Sequence, residues 1–144
     1  MPVKVKSISL WRKEVENKPG VLAQTLEPLT KAGADLQVIM GYRYPGDETK
    51  AAIELYPVTG KKFLAAAQQA GLTSSSIPTL LVEGDNKPGL GYALARAIAE
   101  AGVDLSFLIG QVIGRKYSAV IGFMNETDAE KAKALIKKAV SKKK

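Results

Sequence analysis

Hydrophobic and polar residues follow the same pattern twice along the chain. After each of two Pro-Gly pairs, apolar side chains recur every three or four residues, which is typical of a helix with one buried face. Both helices are expected to end at a glycine, Gly33 or Gly102, because glycine adopts the left-handed conformation that closes a helix. The apolar positions are Val21, Leu22, Thr25, Leu26, Leu29 and Ala32 in the first helix, and Leu90, Leu94, Ala97, Ile98 and Ala101 in the second.

A hairpin of two strands is predicted after each of these helices, and another helix after each hairpin. In the first half, residues 35–44 and 49–56 flank the turn Tyr44-Pro45-Gly46-Asp47. Residues 105–113 and 117–124 repeat this arrangement in the second half. The later helices are predicted over residues 61–70 and 128–140. Each half is therefore predicted to be strand, helix, strand, strand, helix.

A closed unit of the ferredoxin-like type needs one more strand after its second helix, and the second half has too few residues left to supply it. The alternation of apolar residues in 3–16 changes phase along the segment, which indicates two short strands joined by a bend. We expect the first strand to complete the second half, and the second strand to open the first half.

Pro78 divides residues 74–83 in the same way, so its two sides are expected to close the first half and to open the second. The two halves are thus predicted to exchange edge strands and to fold as one inseparable body.

Sequence identity between the halves supports a duplicated unit. Asn17-Lys18-Pro19-Gly20 recurs as Asn86-Lys87-Pro88-Gly89, an offset of 69 residues from 17 to 86. The pairs at 32–33 and 101–102 (Ala-Gly) and at 35–36 and 104–105 (Asp-Leu) match at the same offset. Three matches in register indicate a repeat. The predicted domains are residues 1–75 and 76–144.

The hairpin of the second half is apolar on both faces. A strand that is apolar on both faces has both of them covered. Because helices cover one face, the other is expected to pack on a second sheet, which predicts a homodimer or a larger assembly. One face carries Leu105, Phe107, Ile109 and Ile113, and the other carries Leu108 and Val112; in the next strand Ala119, Ile121 and Phe123 lie opposite Val120 and Met124.

Composition excludes several kinds of chemistry. The 144 residues include no cysteine and no histidine, which removes disulfide scaffolds, zinc sites, cysteine nucleophiles and histidine-based acid–base catalysis. The carboxylates and lysines show no catalytic spacing, so no catalytic residue, metal ligand or cofactor is predicted.

The net charge of +7 and the absence of long apolar runs set the expected location. Much of the charge lies in the lysine-rich stretch from Glu126 onwards, which is most simply a solvated face. No apolar run approaches the roughly 20 residues of a membrane helix, and the first residues lack the apolar core of a signal peptide. A cytoplasmic location without membrane contact is predicted.

The Asn-Lys-Pro-Gly loop, the helix after it, the Ala-Gly-x-Asp-Leu segment, the hairpin and the last helix together resemble the ACT domain. This domain is the regulatory module of many enzymes of amino-acid metabolism. The resemblance spans nearly the whole chain, once per half. It implies an α+β fold of two ferredoxin-like βαββαβ units in tandem, with antiparallel sheets and helices on one face. Since no enzyme domain accompanies them, the chain is similar to a free-standing double module.

The resemblance also implies ligand-binding residues. ACT domains commonly bind an amino acid between two domains, where the loop of one faces the strand after the helix of another. The second half departs from the usual pattern at Gly91, where a bulky apolar residue is expected. The implied residues are Asn17, Pro19, Gly20, Val21, Leu22, Asp35 and Gln37 in the first half, and Asn86, Pro88, Gly89, Leu90, Gly91, Asp104 and Ser106 in the second.

These residue types also suit a zwitterion on physical grounds. A glycine lets a ligand approach the backbone, and the amides and dipole at a helix start attract a carboxylate. The asparagines offer a donor and an acceptor, while Asp35 or Asp104 can accept from an ammonium group. The competing interpretation is structural: Pro-Gly is ordinary turn chemistry before a helix, and the two aspartates can cap a strand.

Three functions are compared. The predicted one is a non-catalytic regulator that binds a free amino acid or a similar small metabolite, shifts the population of assembly or docking states, and acts on an enzyme or regulator partner. The alternative is a nucleic-acid-binding protein, prompted by a pI of 9.6 and by a topology shared with RNA-recognition modules. Those modules stack bases on exposed aromatics, whereas the matching strands carry Val38, Met40, Val120 and Ile121. An enzyme would need a strongly shifted lysine or glutamate, and no spacing points to one.

Overall fold

The computed structural model describes residues 3–141, which form eight strands and four helices. The strands are β1 (Lys4–Ile8), β2 (Trp11–Glu16), β3 (Val38–Tyr44), β4 (Asp47–Tyr56), β5 (Thr73–Ser74), β6 (Thr79–Asp85), β7 (Leu105–Ile113) and β8 (Lys116–Phe123). The helices are α1 (Val21–Lys31), α2 (Lys61–Gln69), α3 (Leu90–Ala101) and α4 (Glu126–Ser141). None of these four helices is long and apolar enough to span a bilayer.

The chain divides into two compact units. The amino-terminal unit consists of residues 9–76, and the carboxy-terminal unit joins residues 3–8 to residues 77–141. The grouping of residues 3–8 follows from the pairing of β1. The predicted domain boundaries, 1–75 and 76–144, stay a prediction.

The amino-terminal unit is a four-stranded antiparallel sheet with the order β3-β4-β2-β5. Alternate residues of β4 point to opposite faces, and one set meets both helices. The buried cluster on that face joins the strands to α1 and α2 and includes Val15, Leu29, Ala51, Ile53, Leu55 and Ala67. Both helices therefore cover the same face of the sheet, as predicted.

The carboxy-terminal unit is a second antiparallel sheet, with the order β1-β6-β8-β7. Its helices α3 and α4 again pack on one face. The buried cluster there includes Leu80, Val82, Leu94, Ile121, Phe123 and Ile136. The predicted α+β class and the duplicated ferredoxin-like pattern are confirmed.

The strand from the start of the chain completes the second sheet, as the phase change in residues 3–16 predicts. β1 pairs along its whole length with β6, from Lys4 opposite Glu83 to Ile8 opposite Thr79. Val5 is buried in the core of the carboxy-terminal unit. β5 pairs with β2 and closes the amino-terminal sheet.

Two element boundaries differ from their predictions. β3 begins at Val38, three residues later than predicted, because its partner β4 ends at Tyr56. Pro57 has no N–H and cannot continue the ladder. α4 begins at Glu126, two residues early, because the Oδ1 atom of Asn125 accepts a hydrogen bond from the N–H of Asp128 and caps the helix (2.8 Å).

Candidate functional site

The Asn-Lys-Pro-Gly loop of the amino-terminal unit is tied to its hairpin by Asn17. The N–H of Asn17 donates to the carbonyl of Thr49 (2.9 Å), and its Nδ2 donates to the carbonyl of Glu48 (3.0 Å). In the carboxy-terminal unit the N–H of Asn86 donates to the carbonyl of Arg115 (2.8 Å). Each asparagine thus has a structural role in anchoring its loop, whatever its part in binding.

Helix α1 begins with backbone amides that no side chain caps. Gly20 precedes the helix in the left-handed conformation, with φ 89°, and the first regular helical bond joins Gln24 N–H to its carbonyl (3.0 Å). In the described residues no side-chain oxygen caps this start, and the first turn holds no acidic residue. The positive end of the helix is therefore open to an anion from outside the unit.

A pocket of about 300 Å³ lies beside this helix start. Its volume is at the small end of the range for ligand sites in proteins, which suits a small metabolite. It brings together four of the predicted residues, namely Asn17, Gly20, Val21 and Leu22, with Val15, Lys18, Gly41, Tyr42, Arg43, Ala51, Ala52 and Ile53.

Arg43 supplies a positive charge to this pocket. It lies opposite Ala51 in the β3–β4 ladder and so shares the face of the sheet that carries the helices. Within residues 3–141, its guanidinium has no hydrogen-bond or ion-pair partner. Lys18 contributes less, because its Nζ atom already lies 3.3 Å from a carboxylate oxygen of Glu16 at the surface. An arginine beside uncapped helix amides is an arrangement that recognises a carboxylate.

Three predicted residues of the first half lie outside the pocket. Pro19, Asp35 and Gln37 are exposed and do not line it. The part of β3 that reaches the pocket is the far end, from Gly41 to Arg43, whereas Asp35 and Gln37 precede the strand. Within the amino-terminal unit, the structure does not bring Asp35 to the loop as an ammonium acceptor.

The corresponding loop of the carboxy-terminal unit borders a different cavity, of about 550 Å³. Pro88, Gly89 and Leu90 contribute to it, but its other walls are the outer side of α3, the end of α4 and Val3. The remaining lining residues are Lys87, Tyr92, Ala93, Arg96, Ala97, Glu100, Ala139 and Val140.

This larger cavity does not gather the other predicted residues. Asn86, Gly91, Asp104 and Ser106 are exposed and lie outside its lining. The hydroxyl of Ser106 contacts the sulfur of Met124 (3.3 Å). The two loops of the repeat therefore face cavities of different construction.

A polar network lies on the opposite face of the amino-terminal sheet. The hydroxyl of Tyr42 donates to Oε2 of the fully buried Glu54 (2.6 Å), and Nη2 of Arg12 donates to the hydroxyl of Tyr44 (2.6 Å). That hydroxyl donates in turn to Oε2 of Glu14 (2.5 Å). Burial, followed by the hydrogen bond to Glu54, raises the pKa of Tyr42 to about 12. The network ties β2, β3 and β4 together.

Sequence reasoning missed the sheet side of the pocket, including Arg43. A signal for part of it was present, because Gly41 and Gly110 are separated by the same 69 residues as the two loops. A glycine at the same place in both third strands indicates that something approaches the backbone there.

No protein-family model matches this chain. No curated protein matches it either. Solved structures do match, over nearly the whole chain. Protein BT0572 from Bacteroides thetaiotaomicron has a TM-score of 0.73 at 17% identity, covering 93% of this chain and 89% of that chain.

Two further solved structures have related architecture. The ligand-free regulatory subunit of aspartate kinase from Thermus thermophilus has a TM-score of 0.61 at 16% identity, with 96% and 97% of the two chains covered. Aspartokinase alpha and beta subunits give 0.62 at 18% identity, with 99% of both chains covered. This likeness establishes the fold: two ferredoxin-like units of the ACT type in tandem.

Proposed function

We propose that this protein is a non-catalytic regulatory module that binds a free amino acid or a similar small metabolite. The observation that carries the proposal is the pocket of the amino-terminal unit, where uncapped amides of α1 and the unpaired guanidinium of Arg43 face one small space. Both groups attract a carboxylate, and only a small ligand fits.

The regulatory role draws support from the solved structures that share the fold. They include a regulatory subunit of aspartate kinase and aspartokinase alpha and beta subunits. We carry the regulatory role, and not the kinase or its ligand, to this chain. The partner is proposed to be an enzyme or a regulator in the cytoplasm.

The predicted residues that lie outside the pocket are proposed to act on a ligand held by another domain. Asp35, Gln37, Asp104 and Ser106 are exposed at the strand entries, where a carboxylate or amide can accept from an ammonium group. This arrangement needs a second domain close by, and a homodimer or larger assembly would supply one.

The edge strand β7 is the surface proposed for that assembly. Its outer backbone edge has no partner strand in the described residues, and large apolar side chains along it are exposed. An exposed apolar strand edge is a site for pairing with another chain. The exposed apolar residues on β7 are Leu105, Leu108, Ile109, Val112 and Ile113.

RNA binding finds no support in the sheet of the amino-terminal unit. Tyr42 and Tyr44 lie on the face away from the helices, where an RNA-recognition module stacks bases. The hydroxyls of both tyrosines are engaged by carboxylates, Glu54 and Glu14, and Arg12 lies 5.8 Å from the ring centre of Tyr44.

The proposal is tested by thermal unfolding in the presence of each of the twenty common amino acids. A ligand at a hundred times its dissociation constant adds about 2.7 kcal/mol to stability, which raises the melting temperature by several degrees. Arg43→Gln is expected to abolish the stabilisation. The matched control is Arg115→Gln, which removes an exposed arginine outside the pocket lining. If no amino acid stabilises the wild-type protein, or if both variants behave alike, the proposed site is wrong.

A further inference from the structure

We infer that the two repeats are unequal as ligand sites: in the carboxy-terminal unit, Tyr117 fills the space that forms the pocket of the amino-terminal unit. The chain then offers one pocket of this kind among its described residues. This inference rests on the proposed function and specifies which copy performs it.

Strand pairing identifies Tyr117 as the counterpart of Ala51. In the amino-terminal sheet, Val15 and Arg43 both lie opposite Ala51. In the carboxy-terminal sheet, the residues 69 positions later, Gly84 and Val112, both lie opposite Tyr117. The same two neighbours thus flank a methyl group in one unit and a phenol in the other.

The phenol of Tyr117 reaches the start of helix α3. A Cβ atom added at Gly91, in the first turn of α3, would lie 3.7 Å from the Tyr117 hydroxyl oxygen. A Cβ atom added at Gly110 would lie 2.8 Å from the same oxygen, a separation that real Cβ atoms essentially never show. The hydroxyl therefore occupies the space between the helix start and the third strand of the unit.

The departures of the second repeat from the first fit this role together. Leu22 lines the pocket of the amino-terminal unit, and its counterpart 69 residues later is Gly91. A leucine side chain at 91 would extend toward the Tyr117 hydroxyl, so the glycine makes room for the phenol. The usual bulky residue is absent at 91 because its volume is supplied from the strand.

The charge that marks the first pocket is also missing from the second unit. Arg43 corresponds to Val112, which lies opposite Tyr117 as Arg43 lies opposite Ala51. The position beside the start of α3 is thus filled and lacks a guanidinium. Neither the space nor the cation that would hold a carboxylate is available in that copy.

The test is a ¹⁵N NMR titration of the full-length protein with the twenty common amino acids, added singly. The expected result is a saturable shift of the amides at residues 20–23 and 41–43, with no shift at 89–92 or 110–112. Shifts in both groups, or only in the second, would overturn the inequality of the copies while leaving amino-acid binding intact. Shifts in neither group would overturn amino-acid binding itself, and the single site with it.

A transplanted tyrosine gives a second, independent measurement. Ala51→Tyr combined with Leu22→Gly introduces the phenol and its accommodating glycine into the amino-terminal unit, and is expected to abolish the shifts at residues 20–23. Leu22→Gly alone is the control and should retain binding, because the space beside Ala51 stays open. Retained binding in the folded double variant, seen as a dispersed spectrum, would show that a phenol in this place does not close the pocket.

Discussion

Two valines on neighbouring strands are expected to stabilise different units. Val5 on β1 is 8% exposed and packs in the core of the carboxy-terminal unit, whereas Val15 on β2 is 9% exposed and packs in the core of the amino-terminal unit. Val5→Ala is therefore predicted to destabilise residues 77–141, which are distant in sequence. Val15→Ala is the matched control, since residue type and burial are nearly the same.

The magnitude follows from the methyl groups removed. Each substitution deletes two buried carbon groups, worth about 0.8 kcal/mol each in transfer free energy. The cavity that remains adds to this cost, so each variant is expected to lose roughly 1.5 to 2.5 kcal/mol. Since about 1.4 kcal/mol is a factor of ten, the opening equilibrium of the affected unit rises roughly tenfold to sixtyfold.

Native-state hydrogen exchange resolves this effect by residue. For Val5→Ala, the most protected amides of β6 and β8 are expected to exchange faster, while those of β2 and β4 keep their rates. Val15→Ala should give the reverse. Faster exchange of β2 and β4 in the Val5 variant, with β6 and β8 unchanged, would refute the assignment of β1. Equal acceleration everywhere would refute the local effect and support the prediction of one inseparable body.

Three further outcomes are expected. Gly20→Ala forces a side chain into the left-handed conformation at φ 89° and should cost roughly 1 to 2 kcal/mol in urea unfolding, whereas Gly41→Ala, whose Cβ meets nothing within 4 Å, should not be destabilising. Gly122→Ala places a Cβ atom 2.3 Å from the ring of Phe107 and should cost roughly 1 to 3 kcal/mol in the same assay. Because folding raises the pKa of Tyr42 from 10 to about 12, its contribution to stability is present below pH 10 and is lost between pH 10 and 12; Tyr42→Phe should remove that part of the alkaline decline.

The duplicated fold could be predicted from sequence because its signals are local and repeated. The Asn-Lys-Pro-Gly loops fix where both first helices begin, and the helical spacing fixes which face is buried. The phase change in residues 3–16 correctly indicates two strands, since a shift of one residue turns every side chain to the other face. A missing strand in the second half leaves few places for the first of them to pair.

The sheet side of the pocket could not be predicted, because strand pairing decides it. Residues 35–37 read as part of a strand, but the partner ends at Tyr56, so they stay outside the ladder. The equivalence of Ala51 and Tyr117 is hidden for a similar reason. The first hairpin is longer and carries an irregularity between Arg43 and Tyr44. The offset between the repeats therefore falls from 69 residues in the third strand to 66 in the next, from 51 to 117.

The pairing of β1 with β6 has a consequence for the order in which the protein is made. Ile8 and Thr79 face each other in the sheet, yet about 70 residues separate them along the chain. At about 5 to 20 residues per second, a ribosome needs roughly 4 to 14 seconds to cover that distance. The residues of the amino-terminal unit emerge in that interval and carry all four strands of their own sheet. The earliest strand to leave the exit tunnel is thus an unpaired segment that waits for its partner until the second half of translation.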